Sequence, residues 1–208
     1  LMVGRRVIFR AEKKPQKPGS VVLEVREVSA LSKKGFPALN KISLQVRQGE
    51  ILGIAGVAGN GQSELAQVIT GLRPCTGSIL INGEEVANQE PSKAIKSGVS
   101  HIPEDRTDVG SAPNMTITEN TIMKNYHDAP IGTRWSINFT AARNHARELK
   151  DAYHILAPSV RTQARKLSGG NLQKVILARE ITTKPKLMVA MQPTRGLDVG
   201  AIESVKNL

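Results

Sequence analysis

Apolar and polar residues alternate in two stretches near the start of the chain, VVLEVREV from Val21 and ISLQVRQ from Ile42. A period of two puts every second side chain on one face, so both predict half-buried strands. The glycine-bearing SKKGFPALNK between them then connects an antiparallel hairpin or edge. EILGIAG, from Glu50, is a short unbroken apolar run and predicts a buried strand. In GQSELAQVITGL the apolar spacing lengthens to that of a helix, so strand, glycine loop and helix follow in order. GSILINGEEV adds a further strand and turn. From about residue 115 to 160 the pattern is helical, in TITENTIMKNY and TAARNHARELKDAYHIL. NLQKVILAREITTK predicts an amphipathic helix, KLMVAM a buried strand and QPTRGLD a loop. The fold class is therefore α/β, with a mainly helical satellite at about 105–165.

A chain of 208 residues suits one α/β core with an appendage rather than two independent domains. Residues 1–20, charged and bearing two prolines, read as a linker from an upstream domain, and 21–208 as the folded domain. GAIESVKNL starts a helix that has no stop signal, so the expectation is a domain truncated at its C-terminus. No apolar run approaches the roughly 18 residues that a membrane helix needs. The single cysteine, Cys75, excludes an intramolecular disulfide and fits a reducing compartment. A formal net charge of +11 raises polyanionic partners. However, the basic residues are scattered and aromatic residues make up only 3%, which lacks the interleaved stripe that single-strand binders use, so no specific nucleic acid is expected. The four histidines show no metal-ligand spacing.

Candidate chemistry begins at GVAGNGQSEL, residues 56–65. A phosphate-binding loop reads GxxxxGK(S/T): its glycines let backbone amides wrap phosphate, its lysine neutralises charge, and its hydroxyl ligates magnesium. Gly56, Gly61 and Ser63 match, with Gly59 inside the loop and Glu64 after it, but Gln62 stands where the lysine belongs. A second anion site is predicted at LSGGNLQ, where Ser168, Gly169 and Gly170 open a helix whose first amides and dipole face outward.

LSGGNLQ resembles the ABC ATPase signature, LSGGQ, and with GVAGNGQS before it and KLMVAMQPTRGLD after it the chain is identified as a member of the ABC nucleotide-binding domains. The resemblance covers about residues 21–208. EILGIAGVAGNGQSEL, HIPEDR, LSGGNLQK and QPTRGLDVGAIE together resemble the second ATPase domain of two-domain subunits that energise bacterial sugar and nucleoside importers. This resemblance implies an ABC-type P-loop domain with an antiparallel β subdomain, a mainly parallel core sheet and a small helical subdomain. It implies ATP and magnesium as ligands. Its implied partners are an upstream ATPase domain of the same subunit, a second ATPase subunit and a membrane permease, at the cytoplasmic face of the membrane.

The departures from an active member bear on function. Alignment with the family's apolar run followed by Asp and Glu puts Met191 at the magnesium aspartate and Gln192 at the catalytic glutamate. Glu104 of HIPEDR stands where active members carry the Q-loop glutamine. Ser63 remains as the candidate magnesium ligand, and Phe36 as a candidate adenine platform. Losing a general base costs typically 10² to 10⁴ in rate, and loss of the metal's carboxylate leaves little chemistry. The expectation is a non-hydrolytic site in this domain that binds nucleotide weakly or not at all. Ser168, Gly169, Gly170 and Asn171 would instead complete the ATP site of a partner domain, with Asp198 as the D-loop aspartate that couples the two. Two other readings compete: a nucleic-acid- or ribosome-associated ABC protein, and a structural pseudo-ATPase that never contacts nucleotide.

Overall fold

In the computed structural model, which describes residues 17–133, 135–195 and 197, the two alternating stretches form β1 (Val21–Leu31) and β2 (Pro37–Arg47), paired antiparallel. Their alternation is not strict. The buried positions Leu23 and Val25 are two apart, but the next, Val28, lies three further on. A bulge absorbs the extra residue: Val25 faces Leu44 and Val28 faces Ile42, and Glu27 between them has φ 46°. The opposite correction sits at Lys41, also at φ 46°, between the pairs Val28 with Ile42 and Ala30 with Leu39. Ser43 Oγ accepts from the Glu27 amide at 2.9 Å, and Ser29 Oγ accepts from the Lys41 amide at 2.8 Å. Neither bulge strands a donor, and the apolar face stays continuous.

β3 (Thr76–Ile81) pairs with the other edge of β1, and β4 (Glu84–Glu85) with β3, giving an antiparallel sheet of order β2-β1-β3-β4. Gly77 of β3 lies across from the β1 bulge, where a Cβ would come within 2.5 Å of the Arg26 carbonyl and 2.6 Å of the Glu27 carbonyl. Only glycine fits there. α1 (Gln62–Ile69) buries Leu65, Val68 and Ile69 in the core formed by Val25, Val28, Ile79 and Ile81. α2 (Pro91–Lys96) and β5 (Val99–Ile102) follow, and β5 pairs with β6 (Leu187–Ala190) in a second sheet. α2 and β5 are absent from the pattern reading, although Pro91 in the first turn and Gly98 at φ 91° bracket the helix as start and stop signals.

Two expectations are corrected here. EILGIAG is not a buried strand: residues 51–57 are irregular and exposed, with Ile51, Leu52, Ile54 and Val57 open to solvent. An apolar run becomes a strand only where a neighbour satisfies its backbone groups, and among the described residues none pairs with it. KLMVAM does form β6, but only Leu187 is buried, while Met188 and Ala190 are exposed.

The described residues divide into two compact units, one comprising 17–101 with Lys184–Met191, the other Ile102–Thr183 with 192–195 and 197. The second contains α3 (Ile117–Ile122), α4 (Phe139–Ala152) and α5 (Gly169–Thr182). Thr116 and Glu119 form a reciprocal capping box at α3, Asn138 caps α4 and Ser168 caps α5. α5 is buried along most of its length, packing Leu172 and Ile176 on Ile102 and Ala164, and Val175 and Ala178 on Ile117, Leu149 and Ile155. Its small amphipathic contrast follows, because Gln173, Arg179 and Glu180 are buried too.

Candidate functional site

Gly61 precedes α1 at φ 92°, in the left-handed region, and a Cβ there would meet the Ala38 carbonyl at 2.5 Å. Gly59, at φ 91°, has open space where a Cβ would stand. The turn between them closes with the Asn60 amide donating to the Val57 carbonyl at 3.3 Å. Glu64 stands in the first turn of α1, the favourable end for a carboxylate. This is the shape of an anion-cradling loop. The Gln62 side chain folds back across it: Nε2 donates to the Val57 carbonyl at 3.2 Å and lies 2.2 Å from the place a Gly56 Cβ would occupy. The loop is thus braced by its own amide side chain, without a cation. A side chain at Gly56 would displace the Gln62 amide from this position.

Ser168 caps α5 through its Oγ, which accepts from the Asn171 amide at 3.4 Å and from Asn171 Nδ2 at 3.0 Å. Asn171 Oδ1 in turn accepts from the Leu156 amide at 2.8 Å. These bonds fix the orientation of the Ser168–Gly169–Gly170 turn. Ser168 is exposed and the two glycines are partly so, and α5 is long enough for its dipole to favour an anion at that end.

HIPEDR leads out of β5 into a turn. The Asp105 carboxylate accepts from the Asp108 and Thr107 amides at 3.0 and 2.9 Å, and these bonds hold its carboxyl below the usual carboxylate range. Glu104 accepts from Gln192 Nε2 at 3.3 Å and pairs with the Arg195 guanidinium. Two expected site residues, Glu104 and Gln192, are therefore in contact. The pair partner, Arg195, and its neighbour Arg106 had no expected role, although both stand inside motifs, HIPEDR and QPTRGLD. An exposed ion pair such as Glu104 with Arg195 contributes little to stability by itself.

Met191 follows β6, partly buried, and offers no carboxylate. Gln192 is exposed at φ 44°. No group of three or more His, Cys, Asp or Glu side chains suited to a metal occurs among the described residues. Ser63, the candidate magnesium ligand, lies in the first turn of α1. Phe36 is exposed at the end of the β1–β2 connection. Asp198 and most of the expected linker at 1–20 lie outside the described residues.

No helix among the described residues is long and apolar enough to cross a membrane. The family model for the ABC transporter matches residues 39–195. A glucose import ATP-binding protein of Haloferax volcanii is 46% identical over 99% of this chain and 38% of its own length. A guanosine import ATP-binding protein of Bacillus subtilis is 44% identical over 99% of this chain and 40% of its own. A nucleoside import ATP-binding protein of Lactococcus lactis is 42% identical over 99% and 41%. The chain spans about two fifths of the length of these curated relatives. Among solved structures, a nucleotide-free ATP-binding cassette from an ABC transporter superposes with a TM-score of 0.72 at 24% identity, covering 90% of this chain and 75% of that one. A dimeric cassette bound to ADP and Pi superposes with a TM-score of 0.71 at 23% identity, covering 88% and 79%. These superpositions establish the cassette fold.

Proposed function

The chain belongs to the ABC transporter family, and on that premise we propose that it is a nucleotide-binding domain in the ATP-binding subunit of an importer for nucleosides or simple sugars. The names of the relatives from Bacillus subtilis, Lactococcus lactis and Haloferax volcanii support that substrate range. Residues 21–208 form the domain, with a helical subdomain at about 105–165 and residues 1–20 as the linker from an upstream ATPase domain. The subunit works with a second ATPase subunit and a membrane permease, peripherally at the cytoplasmic face.

Within the domain, two kinds of site have diverged. The observation that carries the reading is the N-terminus of α5: Ser168, Gly169, Gly170 and Asn171 are held in a capped, exposed turn. That turn suits the phosphate of an ATP bound mainly by a partner domain. Backbone amides supply the chemistry, so the turn works without any carboxylate of its own. The domain's own loop, by contrast, has Gln62 for lysine, and the positions after β6 carry Met191 and Gln192. Gln192 positions water but takes no proton from it. The loop holds ATP weakly and does not cleave it, and Asp198 couples the two sites.

The direct test replaces Ser168 by arginine in the assembled transporter. ATP turnover is expected to fall to background while ATP still binds the partner domain; undiminished turnover would overturn the trans role of the signature. Calorimetric titration with Mg-ATP separates one of the two alternatives, a structural pseudo-ATPase. Absence of any binding, with or without the upstream domain, would favour that alternative.

A further inference from the structure

We propose that Arg106 is a positioning residue that registers the loop after β6 against the signature turn of α5; this rests on the reading that the signature serves an ATP held by a partner. Arg106 projects from a turn anchored at both ends. The Asp105 carboxylate ties down the Thr107 and Asp108 amides, and the Gly110 amide donates to the Asp105 carbonyl at 2.8 Å. From the buried body of α5, Arg179 Nη2 donates to the Gly110 carbonyl at 2.9 Å. Gly110 admits no side chain, since a Cβ would stand 2.8 Å from Ile176 Cδ1 and 2.9 Å from Arg106 Cα. The turn therefore moves with α5.

Two side chains reach out of this anchored turn to the loop that follows β6. Glu104 takes the Gln192 amide and the Arg195 guanidinium. Arg106 Nη1 donates to the Arg195 carbonyl at 2.9 Å. The same guanidinium lies against the signature: its Nη2 is 2.8 Å from where a Cβ at Gly169 would be. The planar guanidinium bonds the one segment and lies flat against the other, an extended shape that a compact ammonium does not reproduce. The Arg195 amide bonds to the Gln192 carbonyl at 3.0 Å, so the 192–195 turn is closed and travels as a piece. Displacement of Gly169 when the signature engages phosphate passes through Arg106 to Arg195. In a domain whose Gln192 performs no proton transfer, this loop acts as a strut for the signature.

The experiment measures kcat and KM for ATP in the assembled transporter. Arg106→Ala is expected to lower kcat about tenfold, the fold-change that one lost charge-assisted hydrogen bond represents, with KM within about twofold because the ATP sits on the partner domain. Arg106→Lys keeps one contact and recovers part of the rate. Glu104→Arg lowers kcat, and adding Arg195→Glu restores part of it. Wild-type kcat in Arg106→Ala, in a transporter where Ser168→Arg abolishes turnover, overturns the positioning role and leaves the trans reading intact. Unchanged turnover in Ser168→Arg overturns the trans reading and this role with it. Equal loss in Arg106→Ala and Arg106→Lys, with a lowered thermal midpoint in both, marks a merely structural residue and also overturns the proposal.

Discussion

Gln62→Lys asks how much of the weakness proposed for the phosphate loop comes from one side chain. In the native loop the Gln62 amide makes a neutral hydrogen bond to the Val57 carbonyl at 3.2 Å and lies over Gly56. Turning a lysine outward gives up that bond, worth about 0.5–1.5 kcal/mol net. A charge-assisted bond to phosphate returns about 1.5–3 kcal/mol. The midpoints differ by about 1.25 kcal/mol, which corresponds to roughly eightfold tighter binding. Calorimetric titration with ATP reads this directly, with Gln62→Ala as the control that removes the brace without adding charge. Gln62→Ala is expected to change affinity by less than about threefold. Turnover stays at background in Gln62→Lys, and also when Gln192→Glu is added, because Met191 still gives magnesium no carboxylate. A folded Gln62→Lys variant that binds ATP no tighter would refute the role given to the missing lysine. Hydrolysis by the double variant would refute the weight placed on Met191.

Three further outcomes follow from the packing. Glu180 is fully buried between Lys124 and Arg179, so Glu180→Ala leaves two cations without their shared carboxylate; chemical denaturation is expected to show a loss of about 3–5 kcal/mol. Gly77→Ala forces a Cβ onto the Arg26 and Glu27 carbonyls at φ 86° and is expected to cost about 1–3 kcal/mol, read in the same assay. Acidification reports on two carboxyls: the Asp108 and Thr107 amides hold Asp105 low, and the Thr116 hydroxyl and amide hold Glu119 low. A carboxyl lowered by folding stabilises above its ordinary value, 3.8 for Asp and 4.5 for Glu, and loses that contribution as pH falls through the folded value. Hydrogen-exchange protection at 105–110 and 116–122, taken relative to the intrinsic exchange rate at each pH, should therefore fall only below those values; loss of protection near neutrality would contradict the assignment.

Local chemistry was readable where a residue type and its spacing act within a few positions. The hairpin, α1, α4 and α5 follow from periodicity, and Ser168 announces itself as a cap one residue before two glycines. What escaped depends on partners distant along the chain. EILGIAG has the apolar content of a buried strand, but strand formation needs a neighbour that no local window contains. Arg179 and Glu180 look like the polar face of α5 until Gly110, Asn120 and Lys124 fold over them. The contacts of Arg106 with Gly169 and Arg195 span dozens of residues, and HIPEDR alone suggested only the substitution at Glu104.

The two candidate anion sites differ in what holds them, and on the proposed reading that difference lets one lapse while the other persists. The phosphate loop depends on a charged side chain at 62 and on carboxylates after β6, each of which a single substitution removes without disturbing any core residue. Gln62 and Met191 stand at these positions, and neither belongs to a buried apolar cluster. The signature depends instead on backbone amides, whose direction is set by the burial of α5 among Ile102, Ile117, Leu149 and Ile155. Removing that site means moving the helix, and moving the helix breaks the Arg179 network and the 105–110 turn with it. Substitutions that spare folding can therefore erase the first site alone. On the proposed reading, a domain kept for its contribution to a partner would arrive at this combination, a phosphate loop braced by Gln62 together with a firmly held signature turn.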